Sequence, residues 1–164
     1  MAAAPDKPLP ASAQRVQQAL AAAGCDSMVI ELSVAARTSQ QAADALGIEP
    51  GQIAKSLVFQ AVPSGRAVLV IAAGDRRVDE TRISTLVGEA IERATPELVR
   101  EYSGFAIGGV APVGHAKSMI TFIDTSLRRF EVVWAAGGTP HCVFPIGPAD
   151  LVRISGATET VTAR

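Results

Sequence analysis

The sequence predicts an α+β domain, and three observations carry that reading. Two runs rich in β-formers, 53–61 and 67–72, flank a Pro-Ser-Gly turn and read as a hairpin. Helix punctuation recurs along the chain, with a Thr or Asp at the start and a glycine at the stop. Consecutive strand-like runs without a helix between them fill the second half. Pattern alone leaves the strand order open.

Residues 1–11 begin "MAAAPDKPLP" and lack the charged and apolar regions of a secretory signal, so they read as a flexible leader. One domain over 12–164 follows. In "SAQRVQQALAAAG" the spacing of Val16, Leu20 and Ala23 predicts a helix that Gly24 ends in a left-handed conformation. "SMVIEL" (27–32) reads as a strand. "TSQQAADALG" predicts a short helix with Thr38 as N-cap, Gln41 three residues on and Gly47 as the stop. After the hairpin, Asp79 caps a helix running to about Val87, and a short strand is expected near Ala90–Arg93. "TPELVREYSG" carries Thr95 as cap, Pro96 at the first helical position and Gly104 at the end. "SMITFID", "RFEVVWAAGG" and "CVFPI" read as strands, and "GPADLVRI" as a closing helix with Pro148 in its first turn.

Composition bounds the function. The 164 residues suffice for one domain with a substantial core; 48% are hydrophobic, 19% charged and only 4% aromatic, so Ala, Val, Ile and Leu must build it. Mean hydropathy is +0.27. A net charge of −1 and a pI near 6.1 argue against a general nucleic-acid binder, and DNA is not an expected partner. They leave room for a protein that grips only the end of one nucleic acid, where a few local cations suffice. The two cysteines, Cys25 and Cys142, stand far apart and support neither a disulfide framework nor a metal site. No apolar run approaches the ~20 residues that span a bilayer. The expectation is a soluble, cytoplasmic protein without cofactor or metal.

Few residues suit chemistry. Lys55 lies in the apolar run "IAKSLVF", where period-2 alternation places it with Ile53 and Leu57, and that face should be the buried one. It is either an edge lysine snorkelling to solvent or a cation lining a pocket. "IGGVAPVGH" (107–115) packs Gly108, Gly109, Pro112, Gly114 and His115 into nine residues, and such a loop can offer backbone N–H groups to an oxygen anion. "GGTPH" repeats the pattern with Gly137, Gly138, Thr139 and His141. Either histidine, with an ordinary pKa near ~6.5, is suited to acid–base work or to donating a hydrogen bond. Neither loop is a P-loop or a dinucleotide fingerprint, and no GxSxG elbow is present. Asp124 ends a strand and suits a cap for the "TSLRRF" turn as well as a site carboxylate.

In order and spacing, "GQIAKSLVF", "YSGFAIGGVAPVGH", "TFID" and "VVWAAGGTPHCVFPIGPADLVRI" together resemble the YbaK/prolyl-tRNA-synthetase-associated domain family, over about residues 12–160. The resemblance implies a single domain with a central mixed, largely antiparallel, curved sheet flanked by helices and a pocket between them. It implies a free-standing, trans-editing deacylase that serves translation fidelity. The substrate would be the ester joining a wrong, small amino acid to the 3′-terminal adenosine of a tRNA. The implied partners are the acceptor end of that mischarged tRNA and an aminoacyl-tRNA synthetase, with no membrane.

The family's strand lysine matches Lys55, its GxxxP loop Gly108 to Pro112 with Gly109 inside, and its second glycine pair Gly137 and Gly138. Lys55, Gly108 and Gly109 are therefore the expected catalytic set. Pro112, Gly114, His115, Asp124, Gly137, Gly138, Thr139 and His141 are the expected substrate-binding residues. The chain departs from some branches at Ala136 and Val143, where those carry a hydroxyl residue and a carboxylate, so its cargo need not be theirs. Water would attack the ester while backbone N–H groups hold the tetrahedral oxyanion. The competing reading is a module that binds a tRNA end or a nucleotide without hydrolysing it.

Overall fold

In the computed structural model, which describes residues 8–164, eight strands form one mixed sheet and five helices cover it. The elements in chain order are α1 (Ala11–Ala22), β1 (Ile30–Glu31), α2 (Ser39–Leu46), β2 (Ile53–Val62), β3 (Ala67–Ala73), α3 (Glu80–Val87), β4 (Ala90–Arg93), α4 (Pro96–Ser103), β5 (Ile120–Asp124), β6 (Val133–Ala136), β7 (Cys142–Ile146), α5 (Pro148–Ser155) and β8 (Thr158–Thr160). Short 3-10 turns at Pro50–Gln52 and Thr125–Arg129 connect α2 to β2 and follow β5. Most of the expected leader, residues 1–7, lies outside the described residues.

Local chemistry sets the helix ends. Thr38, Asp79 and Thr95 each accept a hydrogen bond from the N–H three residues on, at 3.1–3.2 Å. Gly47, Gly88 and Gly104 close the same helices at φ of 68°, 85° and 80°. The Gln41 side chain takes the Arg37 N–H at 2.9 Å, one residue before the cap. Two expectations need correction. Of "SMVIEL" only Ile30 and Glu31 form a strand on β7; beyond them the Leu32 N–H reaches the His141 carbonyl in the loop before β7, at 2.6 Å. "TET" at 158–160 adds a strand that its short, polar sequence does not announce.

The sheet runs β1-β7-β6-β2-β3-β5-β8, with β4 also on β2. The β2–β3 hairpin is antiparallel, as are β2–β4, β6–β7 and β1–β7; β2–β6, β3–β5 and β5–β8 are parallel. Both faces are covered. Ala54, Val58, Leu69 and Ile71 pack against α1, Val99 of α4 and Leu151 of α5. Phe59, Ala61, Val68 and Val70 pack against Ile83 of α3 on the other side. The face that holds Lys55 is thus one of two buried faces, and β3, shielded on both, is apolar throughout. None of the described helices is long and apolar enough to cross a membrane.

One feature of the sheet prepares the site. On the edge of β2 away from β3, β6 pairs only with Ile53 and Ala54, while β4 pairs only with Phe59–Val62. Ala94, just past β4, donates to the Val58 carbonyl at 3.1 Å. Between these partners, Lys55, Ser56 and Leu57 meet no strand on that edge among the described residues. The sheet splits there.

Candidate functional site

A cavity of about 520 Å³ occupies the split. The three unpaired residues of β2 form its floor, the segment before α2 stands on one side and the 107–115 loop on the other. Because adjacent β2 side chains point to opposite faces, Lys55 and Ser56 enter the cavity region from opposite sides of the sheet.

Lys55 is half-buried, and its Nζ donates to the Arg76 carbonyl at 2.7 Å. Burial lowers its pKa, the nearby Arg93 guanidinium adds to the lowering, and the Asp75 carboxylate works against both. One of three ammonium N–H groups is thereby fixed and two remain for a ligand. Arg37 and Arg93 also line the cavity, and neither makes a salt bridge among the described residues. Arg93 rests over the Phe59 ring at 5.7 Å. Ser56 Oγ is buried and has no hydrogen-bond partner among the described residues.

The two glycine loops interlock. A Cβ on Gly109 would stand 2.7 Å from Thr139 Cα and 2.9 Å from the Gly138 carbonyl carbon, so each loop is the close approach that the other requires. Gly138, at φ 105°, in turn lies against α1, where a Cβ would meet the Ser12 carbonyl at 2.7 Å. The Gly109 N–H closes the loop on the Ala106 carbonyl at 3.0 Å. Gly108 differs: it lines the cavity at φ 95°, and its N–H takes no partner among the described residues.

Of the expected site residues, Lys55, Gly108 and Thr139 line the cavity. Pro112 is buried beneath the loop, and Gly114 sits at φ 75° against Ala19 of α1. Gly137 is pressed on Val29 and on the backbone of Cys142. His115 bonds the Ala111 carbonyl through Nε2 at 2.7 Å and faces a separate, shallow depression. Burial lowers its pKa, with Arg15 adding to that effect and the Ala111 carbonyl opposing it. His141 lies with Nδ1 3.3 Å from the Leu32 carbonyl, outside the cavity wall.

Asp124 is also elsewhere, 3% exposed at the end of β5, where it accepts the N–H groups of Ser126 (3.0 Å) and Thr162 (2.7 Å). Burial opposes its ionised form, yet the hydrogen bonds from Ser126 and Thr162 together hold its carboxyl below the usual range. It is the cap of the 125–129 turn, and neither of its hydrogen-bond partners, Ser126 and Thr162, lines the cavity. Ala136 and Val143, where the chain departs from the family pattern, both line the cavity. Arg37, Arg93 and Ser56 are the residues sequence reasoning missed. The arginines carry no local motif, and only the alternation of β2 placed Ser56 beside the lysine.

An aminoacyl-tRNA editing domain model matches residues 33–154, a span that holds the cavity wall from Ala36 to Val143. The uncharacterized protein YwhH of Bacillus subtilis is 33% identical over 127 residues, which cover 77% of this chain and 80% of that protein. A proline–tRNA ligase of Nitratidesulfovibrio vulgaris is 32% identical over 103 residues, 62% of this chain but 17% of the ligase. A crystal structure of a candidate trans-editing enzyme for prolyl-tRNA synthetase superposes with a TM-score of 0.90 at 44% identity, covering 96% of this chain and 99% of that one. The match in sequence, length and architecture extends over the whole cavity, and the chain belongs to the aminoacyl-tRNA editing domain family.

Proposed function

We propose that the protein is a trans-editing deacylase that hydrolyses the ester between a small amino acid and the 3′-terminal adenosine of a tRNA. The observation that carries this reading is the split in the sheet. It sets a half-buried lysine and an uncommitted glycine N–H on one cavity that has small-residue walls at Ala54, Ala135 and Val110.

Charge divides the cavity between the two ends of such a substrate. Lys55, Arg37 and Arg93 suit the terminal phosphate and ribose, while the alanine- and valine-lined part suits a short side chain. Water attacks the ester carbonyl, the C–O bond to the ribose breaks, and the released ribose oxygen takes a proton. In this reading the Gly108 N–H holds the oxyanion that forms in between, a contribution typically on the order of 10²–10³ in rate. Lys55 orients the substrate and balances its charge. No side-chain nucleophile is required, because an aminoacyl ester is already activated. A cytoplasmic site of action and delivery by a prolyl-tRNA synthetase belong to the same reading; the similarity to the candidate trans-editing enzyme supports them.

Single-turnover deacylation tests it, using tRNAs charged with alanine, cysteine, serine, threonine and 2-aminobutyrate. The expected result is rapid release of one or two of these and loss of release in Lys55→Ala, which keeps its fold. Inactivity across the panel with tRNA-end binding intact would establish the non-hydrolysing module instead. Equal rates for Lys55→Ala and wild type would remove Lys55 from the reaction.

A further inference from the structure

We propose that Asp75 and Arg129 are positioning residues for Lys55, and that Asp124 anchors them from the end of β5, two strands away. The inference rests on the reading above, in which Lys55 acts on the substrate.

The path is continuous. The Lys55 ammonium is held by the carbonyl of Arg76, in the turn after β3. That turn is tied to β2 by the Gly74 N–H on the Ile53 carbonyl at 2.8 Å, and it presents the Asp75 carboxylate beside Arg76. Arg129 meets that carboxylate as a fork, Nη1 to Oδ2 at 3.0 Å and Nη2 to Oδ1 at 2.8 Å. Its Nε–H is fixed on the Ser126 carbonyl at 2.7 Å. Ser126 is held in turn by Asp124, through its N–H at 3.0 Å and through its hydroxyl. The other Asp124 oxygen takes the N–H and hydroxyl of Thr162 at 2.7 and 3.1 Å.

A second observation points to the same carboxylate. Gly51 leaves it room: a Cβ there would stand 2.9 Å from Asp75 Oδ2. The backbone opposite is shaped to admit this acid.

The charges around Lys55 give the arrangement its consequence. Arg93 acts on Lys55 from β4, Arg37 lines the same cavity from the segment before α2, and Arg76 sits beside Asp75 in the turn. Arg129 stands behind Asp75, with Glu49 facing Arg129 from the turn before β2. Asp75 is the acid that acts on the lysine, and it opposes both burial and Arg93. A forked guanidinium fixes where that acid sits, and so fixes both the site of the ammonium and its charge. Asp124, expected from sequence at the substrate, acts through this chain instead.

The test pairs two readouts on the full-length protein. Nitrogen-15 spectra follow the Lys55 amine through its titration, and single-turnover deacylation with the amino acid that wild type releases follows the rate. Asp75→Asn should move the Lys55 titration to lower pH and slow deacylation about 10- to 100-fold, the scale of a misplaced catalytic contact. Arg129→Ala should slow it comparably. Arg129→Lys, which keeps the charge and loses the fork, should leave the Lys55 titration at its wild-type position and restore only part of the rate. If Asp75→Asn does not fold, the two Arg129 variants carry the test, because that side chain is 35% exposed.

An unchanged Lys55 titration together with wild-type rates in the folded variants would overturn the proposal. If Lys55→Ala itself stays active, the role given to Lys55 in the reaction fails, and the amine titration still decides the relay.

Discussion

The loops at 107–115 and 137–141 are written in the same residues, a glycine pair, then a proline, then a histidine, and the structure uses them in different ways. The first opens Gly108 to the cavity. The second is a buttress: Gly137 and Gly138 fill the narrow space between β7, Val29 and α1 and press on Gly109 of the first. The difference teaches what a glycine cluster means. It records that something comes close to a backbone, and here the main thing that comes close is another part of the same chain.

The largest effect should come from the buttress. Gly138→Ala puts a Cβ against the Ser12 carbonyl in a left-handed conformation, and a loss of about 3 kcal/mol is expected, read as a fall in the urea midpoint. Gly108→Ala tests the other loop. The same left-handed strain costs about 1–2 kcal/mol, but the added Cβ finds 3.5 Å to Pro140, so the fold should survive while deacylation drops tenfold or more. If Gly138→Ala were silent in stability, or Gly108→Ala silent in rate, the division of labour would be wrong.

A third substitution sharpens the contrast by its sign. Ser56→Ala removes a buried hydroxyl that lacks a partner, so stability should rise by up to about 1 kcal/mol. Deacylation should fall if that hydroxyl meets the substrate. Thermal unfolding and single-turnover rates on the same preparation read both.

The smallest effect belongs to a histidine of the first loop. Burial holds the folded-state pKa of His115 below its ordinary value, so the unfolded chain binds the proton first. Stability should therefore decline as pH falls from about 6.5 toward the folded-state pKa, and His115→Gln should flatten that part of the curve. Chemical denaturation at a series of pH values measures it.

Much of this was legible in the residues. Thr38, Asp79 and Thr95 mark helix starts by short-range hydrogen bonds, which depend on a few neighbouring positions and so survive in the sequence. The hairpin was legible because β2 and β3 are long, apolar and joined by a turn that names itself. The three-residue β8 was not, since its place follows from β5 and not from its own side chains. Lys55 stood out as a cation in an apolar run. Arg37 and Arg93 resemble other surface arginines until the chain folds, and the two reach the cavity from opposite ends of the long β2 hairpin region. Asp124 was ambiguous between cap and site, and its partners Ser126 and Thr162 decide for the cap.

The split in β2 has a consequence for when the cavity exists. Its β4 margin comes from chain that follows the hairpin after α3 alone, but its β6 margin arrives only with residues 133–136, and the 137–141 buttress later still. A chain emerging in order from its N-terminus can therefore pair the hairpin with β4 well before it owns a closed cavity. The capacity to grip a substrate is switched on by the final third of the molecule.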